Sequence, residues 1–220
     1  MKPKRTDPEA VEADERFNRI AAASLEVFSE FSFRDATTDE IARRARVSKR
    51  DIYARFPSKH DILLAVISLV LQTNEDRLIQ VVALTQESTS LRDRLEVIGL
   101  ALINEVLSLA TGSLIRIVSS ESMGQPQIGV LYFEKWYVRR AELISRLLER
   151  YVGHASEHLG AHRSRESSQA AEHFLALVTH LPQMTTSVGM RETWNSKRVQ
   201  AHVKSGVECF LNAYPRLPNN

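Results

Sequence analysis

The chain has 220 residues, with 29 Lys and Arg against 27 Asp and Glu, a net charge of +2 and a single cysteine. That length supports one small and one larger domain, each with its own core, and a lone cysteine excludes a disulfide within the chain. The longest apolar run, Ile62 to Leu71, is too short for a membrane span, and the charged N-terminus has no apolar secretory segment, so the expected location is the cytoplasm.

Residues 1–13 read as a disordered polar arm, with Pro3 and Pro8 set among charges. Phe17, Ile20, Ala21, Ser24, Leu25, Phe28 and Phe31 then mark one face of a first helix. Three helix-start signatures follow, each a Ser or Thr with an acid three positions on: Thr37 with Glu40, Ser48 with Asp51 and Ser58 with Asp61. In this pattern the hydroxyl accepts from an orphan N–H of the first turn, and the acid returns to the cap's own N–H and complements the positive end of the helix dipole. Only Arg46 and Val47 break the run between the first signature's helix and the second, so the spacing predicts two short helices joined by a tight turn. A third helix starts at Ser58. That is the layout of a helix-turn-helix over residues 37–56, whose second helix enters the major groove of DNA.

Ile41, Ala42 and Ala45 give the first short helix an apolar edge, and Ile52, Tyr53 and Phe56 do the same for the second. Left outside are Lys49, Arg50 and Arg55, with Arg43, Arg44 and Arg46 upstream and Lys59 beyond. Between Arg34 and Lys59, eight basic and four acidic residues leave a charge of +4, against +2 for the whole chain. Concentrated there, the charge is the footprint of a polyanion partner. A charge run alone reads as a solvated face; its coincidence with three caps and a turn favours DNA.

Further helical periods run from Ser58 through Val70 and beyond, then over Leu91 to Ala110, Leu114 to Met123, Ile128 to Val152, Ser167 to Val188 and Lys197 to Tyr214. Thr111-Gly112, Gly124-Gln125-Pro126, the stretch Gly153 to Glu166 and the stretch Gly189 to Ser196 separate them. No period-2 strand pattern, internal repeat or phosphate-cradling glycine loop is present. Cys209, set among Val207, Phe210 and Leu211, reads as a buried structural thiol. His154, His158 and His162 recur every four residues, but Gly153, Gly160 and polar neighbours favour a solvated surface over a metal site. No nucleophile-and-base, paired-acid or zinc-protease motif is recognisable, so no catalytic residue, metal or cofactor is expected.

The stretch from Phe33 to Lys59 resembles the DNA-binding domain of the tetracycline-repressor (TetR) family. The resemblance rests on Thr37-Thr38-x-x-Ile41-Ala42, Val47-Ser48 at the turn, Ile52-Tyr53-x-x-Phe56 in the second helix and Ser58-Lys59 before the linking helix. It implies an all-α fold: a three-helix DNA-binding domain over 14–74 and a larger effector-binding and dimerisation domain over 75–220. On the family pattern Lys49 and Arg50 reach base edges, while Thr38, Tyr53, Arg55 and Lys59 hold phosphates. Ser32 and Arg46 stand where the family usually has glycine, and Asp51 where it has a small or hydroxyl residue. A left-handed Arg46 would cost about 1 kcal/mol, so the turn is expected to adjust and the Arg46 side chain to reach phosphate.

Leu114 to Glu121, followed by Phe133-Glu134, is similar to the effector domains of AefR-like regulators. That likeness implies a homodimer through the last two long helices, with Phe174, Leu177, Val178, Leu181, Val203, Val207 and Phe210 at the interface. Phe133, Trp136, Tyr137, Met190 and Trp194 are candidates for an effector pocket, although an aromatic stripe at helical spacing is more often a core pattern. The reading is therefore a sequence-specific regulator, a repressor released from a palindromic operator by a small apolar or amphipathic molecule, with no membrane partner. A helical adaptor that binds only protein is the alternative; it leaves the capped basic segment unexplained, and salt-dependent binding to duplex DNA separates the two.

Overall fold

The computed structural model describes residues 8–85, 90–151 and 160–217, and every regular element among them is helical. In chain order these are α1 (Pro8–Asp35), α2 (Thr38–Ala45), α3 (Lys49–Arg55), α4 (Lys59–Leu84), α5 (Leu91–Val106), α6 (Leu109–Glu121) and α7 (Pro126–Tyr132). A π-helical segment (Phe133–Val138) then runs into α8 (Arg139–Glu149), followed by α9 (Gly160–Ser187), a 3₁₀ turn (Arg191–Thr193) and α10 (Ser196–Ala213). Helix α1 already includes residues 8–13, assigned from sequence to the polar arm; proline suits a first helical position because it lacks only an N–H that would be orphaned there. No single helix among the described residues is long and apolar enough to cross a membrane.

The cap signatures form as hydrogen bonds. Ser48 and Asp51 make a complete capping box, the Asp51 carboxylate accepting from the Ser48 N–H at 3.0 Å and the Ser48 hydroxyl accepting from the Asp51 N–H at 3.1 Å. Thr37 and Ser58 accept from the N–H groups of Glu40 and Asp61, each at 3.2 Å. The Glu40 carboxylate bonds Arg43 and Arg44 on the next turn instead of returning to its cap. Ser90 caps α5 in the same way through the Asp93 N–H at 3.1 Å, on a further Ser-x-x-Asp spacing.

Both glycine replacements occupy glycine conformations. Ser32 has φ 62° and ψ 163° and interrupts α1, its hydroxyl engaging the Asp35 carboxylate at 3.1 Å. Arg46 ends α2 with φ 55° and ψ 46°, and its N–H is donated to the Arg43 carbonyl. The expectation that the turn would adjust is thus corrected: α2 closes through a left-handed residue, a conformation that brings the N–H groups of Arg46 and Val47 back to the last carbonyls of the helix.

The chain divides into two compact units, one holding residues up to Val70 together with Ser113–Leu131, the other Leu71–Gly112 and Tyr132 onward. The expected boundary near residue 74 is close to the first crossing, but the sequence did not assign Ser113–Leu131 to the N-terminal unit. Helical periodicity gives a buried face without naming the core it joins. The first unit buries Ile20, Val27, Phe28, Ile41, Ile52, Ile62, Leu63 and Ile67, so α1, α2, α3 and the start of α4 share apolar faces.

The second unit centres on Leu95, Ile98, Leu102, Ile144, Leu148, Phe174, Leu175, Val178, Val203, Val207 and Phe210. Gly99 of α5 lets α10 come close: a Cβ there would lie 2.9 Å from a Val203 methyl. Within α9, Pro182 has no N–H to give the Val178 carbonyl four residues back. That buried carbonyl instead lies 3.1 Å from His202 Nε2 of α10, which must donate because a carbonyl only accepts. Cys209 is exposed, correcting the expected buried thiol: the inward positions of α10 are Val199, Val203, Gly206, Val207, Phe210 and Leu211, and residue 209 falls out of phase with them.

Candidate nucleic-acid interface

Helix α3 is only Lys49–Arg55, and Ile52 is its buried anchor. With Ile52 inward, Lys49, Arg50, Tyr53 and Arg55 are all exposed, on a helix fixed at its start by the Ser48 box. The Tyr53 hydroxyl lies 3.1 Å from the Thr38 hydroxyl, joining the outer face of α3 to the first residue of α2. Two expected phosphate contacts are therefore neighbours.

The cations differ in what already holds them. Glu40 binds Arg43 and Arg44, and Arg44 also pairs with Glu30 at 2.6 Å. Hydrogen bonds from the two guanidiniums hold the Glu40 carboxyl down at about 2. Lys49 pairs with Asp39 at 2.9 Å, which raises its pKa. Arg55 lies over the Phe17 ring at 5.3 Å. Lys59 donates to the carbonyls of Arg34 and Ala36 at 2.9 and 3.0 Å and lies over the Phe33 ring, so two of its three N–H groups already tie α4 to the end of α1. Arg46 and Arg50 are exposed, and their guanidiniums make no hydrogen bond or ion pair among the described residues. Charge counting from the sequence could not sort these groups, because the pairings of Lys49 and Arg44 span ten and fourteen residues.

The residues suggested for an effector pocket do not share one environment. Phe133 is 55% exposed and stacks on Tyr137, with centroids 5.2 Å apart. Trp136 is 2% exposed, and its indole N–H donates to Glu105 at 2.9 Å. Met190 is exposed at the turn after α9, while Trp194 is buried, donates to the Thr185 hydroxyl at 2.7 Å and meets His202 edge-on. Sequence reading missed Tyr132, Glu105 and Arg140, whose polar atoms converge beside Trp136; a charged residue inside a helical period carries no signal of burial.

The dimer candidates also divide. Phe174, Val178, Val203, Val207 and Phe210 are buried in the subunit's own core, which corrects their assignment to a surface between copies. Leu177 and Leu181 remain 37% and 44% exposed, with Met184 one turn further along α9. Beside Leu177, an apolar groove of about 480 Å³ is lined by His173, Ala176, His180, Cys209, Ala213 and Tyr214. His154 and His158 lie outside the described residues, as does the side chain of His162. No metal-holding group of acids, histidines and cysteine occurs among the described residues.

A capped two-helix motif with an exposed basic second helix, carried on an all-helical body, defines a helix-turn-helix transcriptional regulator. Comparison with known proteins makes the class specific. Residues 20–66 match the bacterial regulatory proteins of the tetR family, and residues 93–216 match the C-terminal domain of AefR-like transcriptional repressors. The chain belongs to the TetR family.

Among curated relatives, it is 41% identical over 73 residues to the HTH-type transcriptional regulator HbdR of Aromatoleum sp. strain CIB, covering 33% of this chain and 31% of that one. It is 44% identical over 59 residues to SrpR of Pseudomonas putida, covering 27% and 28%. The matches thus span less than a third of the length of these two relatives. A TetR-family regulator from Mesorhizobium loti has the same fold, with a TM-score of 0.81 over 91% of this chain and 97% of that chain at 19% identity.

Proposed function

We propose that the chain is a homodimeric repressor that reads a two-fold symmetric operator through α3 and is released by a small molecule bound in its second unit. The observation that carries the DNA reading is the pair of unpartnered guanidiniums, Arg46 at the turn and Arg50 at the start of α3, in a segment where neighbouring cations are already paired. In this reading Arg50 reaches base edges, Lys49 does so on leaving Asp39, and Arg46, Thr38, Tyr53 and Arg55 set register on phosphates. Lys59 holds the end of α1 and has one N–H left for phosphate. The adaptor alternative gives those free cations no task. On this reading the protein works in the cytoplasm, where its DNA partner lies.

One recognition helix reads only a few base pairs, so useful specificity requires two on one rigid body. The exposed Leu177, Leu181 and Met184, with the adjoining groove, support α9 and α10 as the dimer face. Helix α4 runs unbroken from Lys59 to Leu84 and contributes to both units, which supports it as the element through which effector binding reaches α3. Moving the population from mostly bound to mostly free requires about 5.5 kcal/mol of differential affinity.

The test is fluorescence anisotropy of a labelled random-sequence 30-base-pair duplex across a salt series. The regulator reading predicts affinity that falls linearly on a log–log plot, with a slope of roughly −0.9 per phosphate neutralised. Undetectable binding at the lowest salt would favour the adaptor.

A further inference from the structure

Tyr132 ends α7, immediately before the π-helical segment. Its hydroxyl oxygen is buried and has no hydrogen-bond partner. Leaving a buried phenolic hydroxyl without a protein partner is costly, so one kept this way calls for an explanation. Its charged neighbours are matched to one another. Arg140 is fully buried and forks onto Glu105, Nε to Oε2 at 3.1 Å and Nη2 to Oε1, while Nη1 donates to the Lys135 and Trp136 carbonyls at 3.0 and 2.9 Å. Glu105 also accepts from Trp136 and is approached by Asn74, which itself donates to the Thr111 hydroxyl at 3.2 Å. The ion pair is closed and neutral. The unspent capacity is the Tyr132 hydroxyl and one Nη2–H of Arg140.

The π-helical segment is an independent sign. Widening a helix by one residue weakens its hydrogen bonding, and such segments occur often at functional sites. Here it carries Trp136 inward onto Glu105, and Arg140 satisfies two of its carbonyls. Around Tyr132 the parallel Trp136 ring, 6.3 Å away between centroids, supplies apolar surface. Burial raises the phenol's pKa, so it keeps its proton and can both donate and accept.

We propose that the Tyr132 hydroxyl anchors the effector, and that this effector is a neutral aromatic or apolar molecule carrying a hydroxyl or carbonyl group. The proposal rests on the effector-responsive reading above and names the ligand class. An anion would meet Glu105, since Arg140 is already matched; a cation would meet Arg140. A neutral hydroxyl or carbonyl completes the hydrogen bonding of Tyr132 without opening the ion pair.

Isothermal titration calorimetry of the full chain at pH 7.5 tests this with 2-naphthol, 4-ethylphenol, 2-naphthoate and 2-naphthylmethylammonium, on wild type and Tyr132→Phe. At least one neutral phenol should bind the wild type saturably, at least tenfold more tightly than either charged probe, and about tenfold more weakly to Tyr132→Phe. Tyr132→Phe should melt no lower than wild type, because it removes an unpaired buried polar atom. Equal phenol binding by the two proteins would overturn the proposal and leave the hydroxyl to a water. So would binding of neither phenol, or preference for a charged probe. Anisotropy with the random-sequence duplex is measured on both proteins in parallel: salt-dependent DNA binding without the phenol pattern overturns only the ligand class, whereas loss of DNA binding in the wild type overturns the regulator reading itself.

Discussion

The hydroxyls of Thr38 and Tyr53 lie 3.1 Å apart, linking the first residue of α2 to the middle of α3 across the turn. Tyr53 is otherwise half exposed, so this contact limits where its ring points. Tyr53→Phe keeps the ring and loses the link. Operator affinity should fall several-fold, consistent with about 1 kcal/mol for one exposed neutral hydrogen bond per subunit, while the melting temperature moves little. Anisotropy titration and thermal melting on the same preparation check both parts.

The family pattern gives Arg50 to base edges and Lys59 to phosphate, and the fold separates them further, because Lys59 is tied to two carbonyls. Arg50→Ala should leave stability unchanged, cost about 1 to 3 kcal/mol on the best operator and relax the preference at one base position in each half-site. Lys59→Ala strips two carbonyl bonds from the end of α1, so it should lower the melting point as well as weaken all duplexes alike. An Arg50→Ala protein that ranks operator variants as the wild type does would remove Arg50 from base reading.

Arg46→Gly and Ser32→Gly relieve positive-φ backbone at two positions. Each should raise stability by about 1 kcal/mol in chemical denaturation. Only Arg46→Gly should also weaken DNA binding and flatten its salt dependence, because only Arg46 offers a free guanidinium beside the turn. If both variants bound DNA like the wild type, Arg46 would have no phosphate role.

Acid should loosen α2 through Glu40. Its carboxyl titrates near 2 in the folded chain against an ordinary value of 4.5. A folded pKa below the unfolded one gives stability that is present above about 4.5 and is lost as pH falls toward 2. Carboxyl chemical shifts followed by NMR should place the Glu40 midpoint below those of unpaired glutamates. Glu40→Gln should remove this part of the acid sensitivity.

Charge placed at Leu181, on the exposed face of α9, should split the dimer and abolish high-affinity operator binding while leaving the helical content intact. The same change at buried Phe174 should unfold the subunit, since a charge at a fully buried site has no partner. Sedimentation of Leu181→Asp checks the first outcome; an unchanged dimer would move the interface elsewhere.

The helix-turn-helix was legible because its signals are local: each cap acts over three residues, and Ile52 and Phe56 fall on one helical face. Two boundaries after residue 90 were legible for the same reason, at Gly124-Gln125-Pro126 and over Gly189 to Ser196; the break expected at Thr111-Gly112 falls inside α6, and α9 begins at Gly160, within the stretch expected to separate helices. What escaped the sequence is long-range pairing. Glu105 and Arg140 are 35 residues apart, and His202 serves the carbonyl freed by Pro182 from 24 residues beyond Val178. No periodicity announces such partners. Nor could the apolar positions of α9 show which side met the subunit's own core, since Phe174 and Leu177 lie three residues apart on one broad stripe and only packing separates them.

The central claim is that two copies of α3 read one symmetric site. Selection of bound duplexes from a random 30-base-pair library by the full chain, followed by sequencing, tests it most directly. Enrichment of an inverted repeat, with half-sites separated by about one helical turn of DNA or a multiple of it and with altered preference after reselection by Arg50→Ala, is the predicted result. A pool without enrichment, or one enriched in a single unrepeated element that Arg50→Ala leaves unchanged, would contradict it.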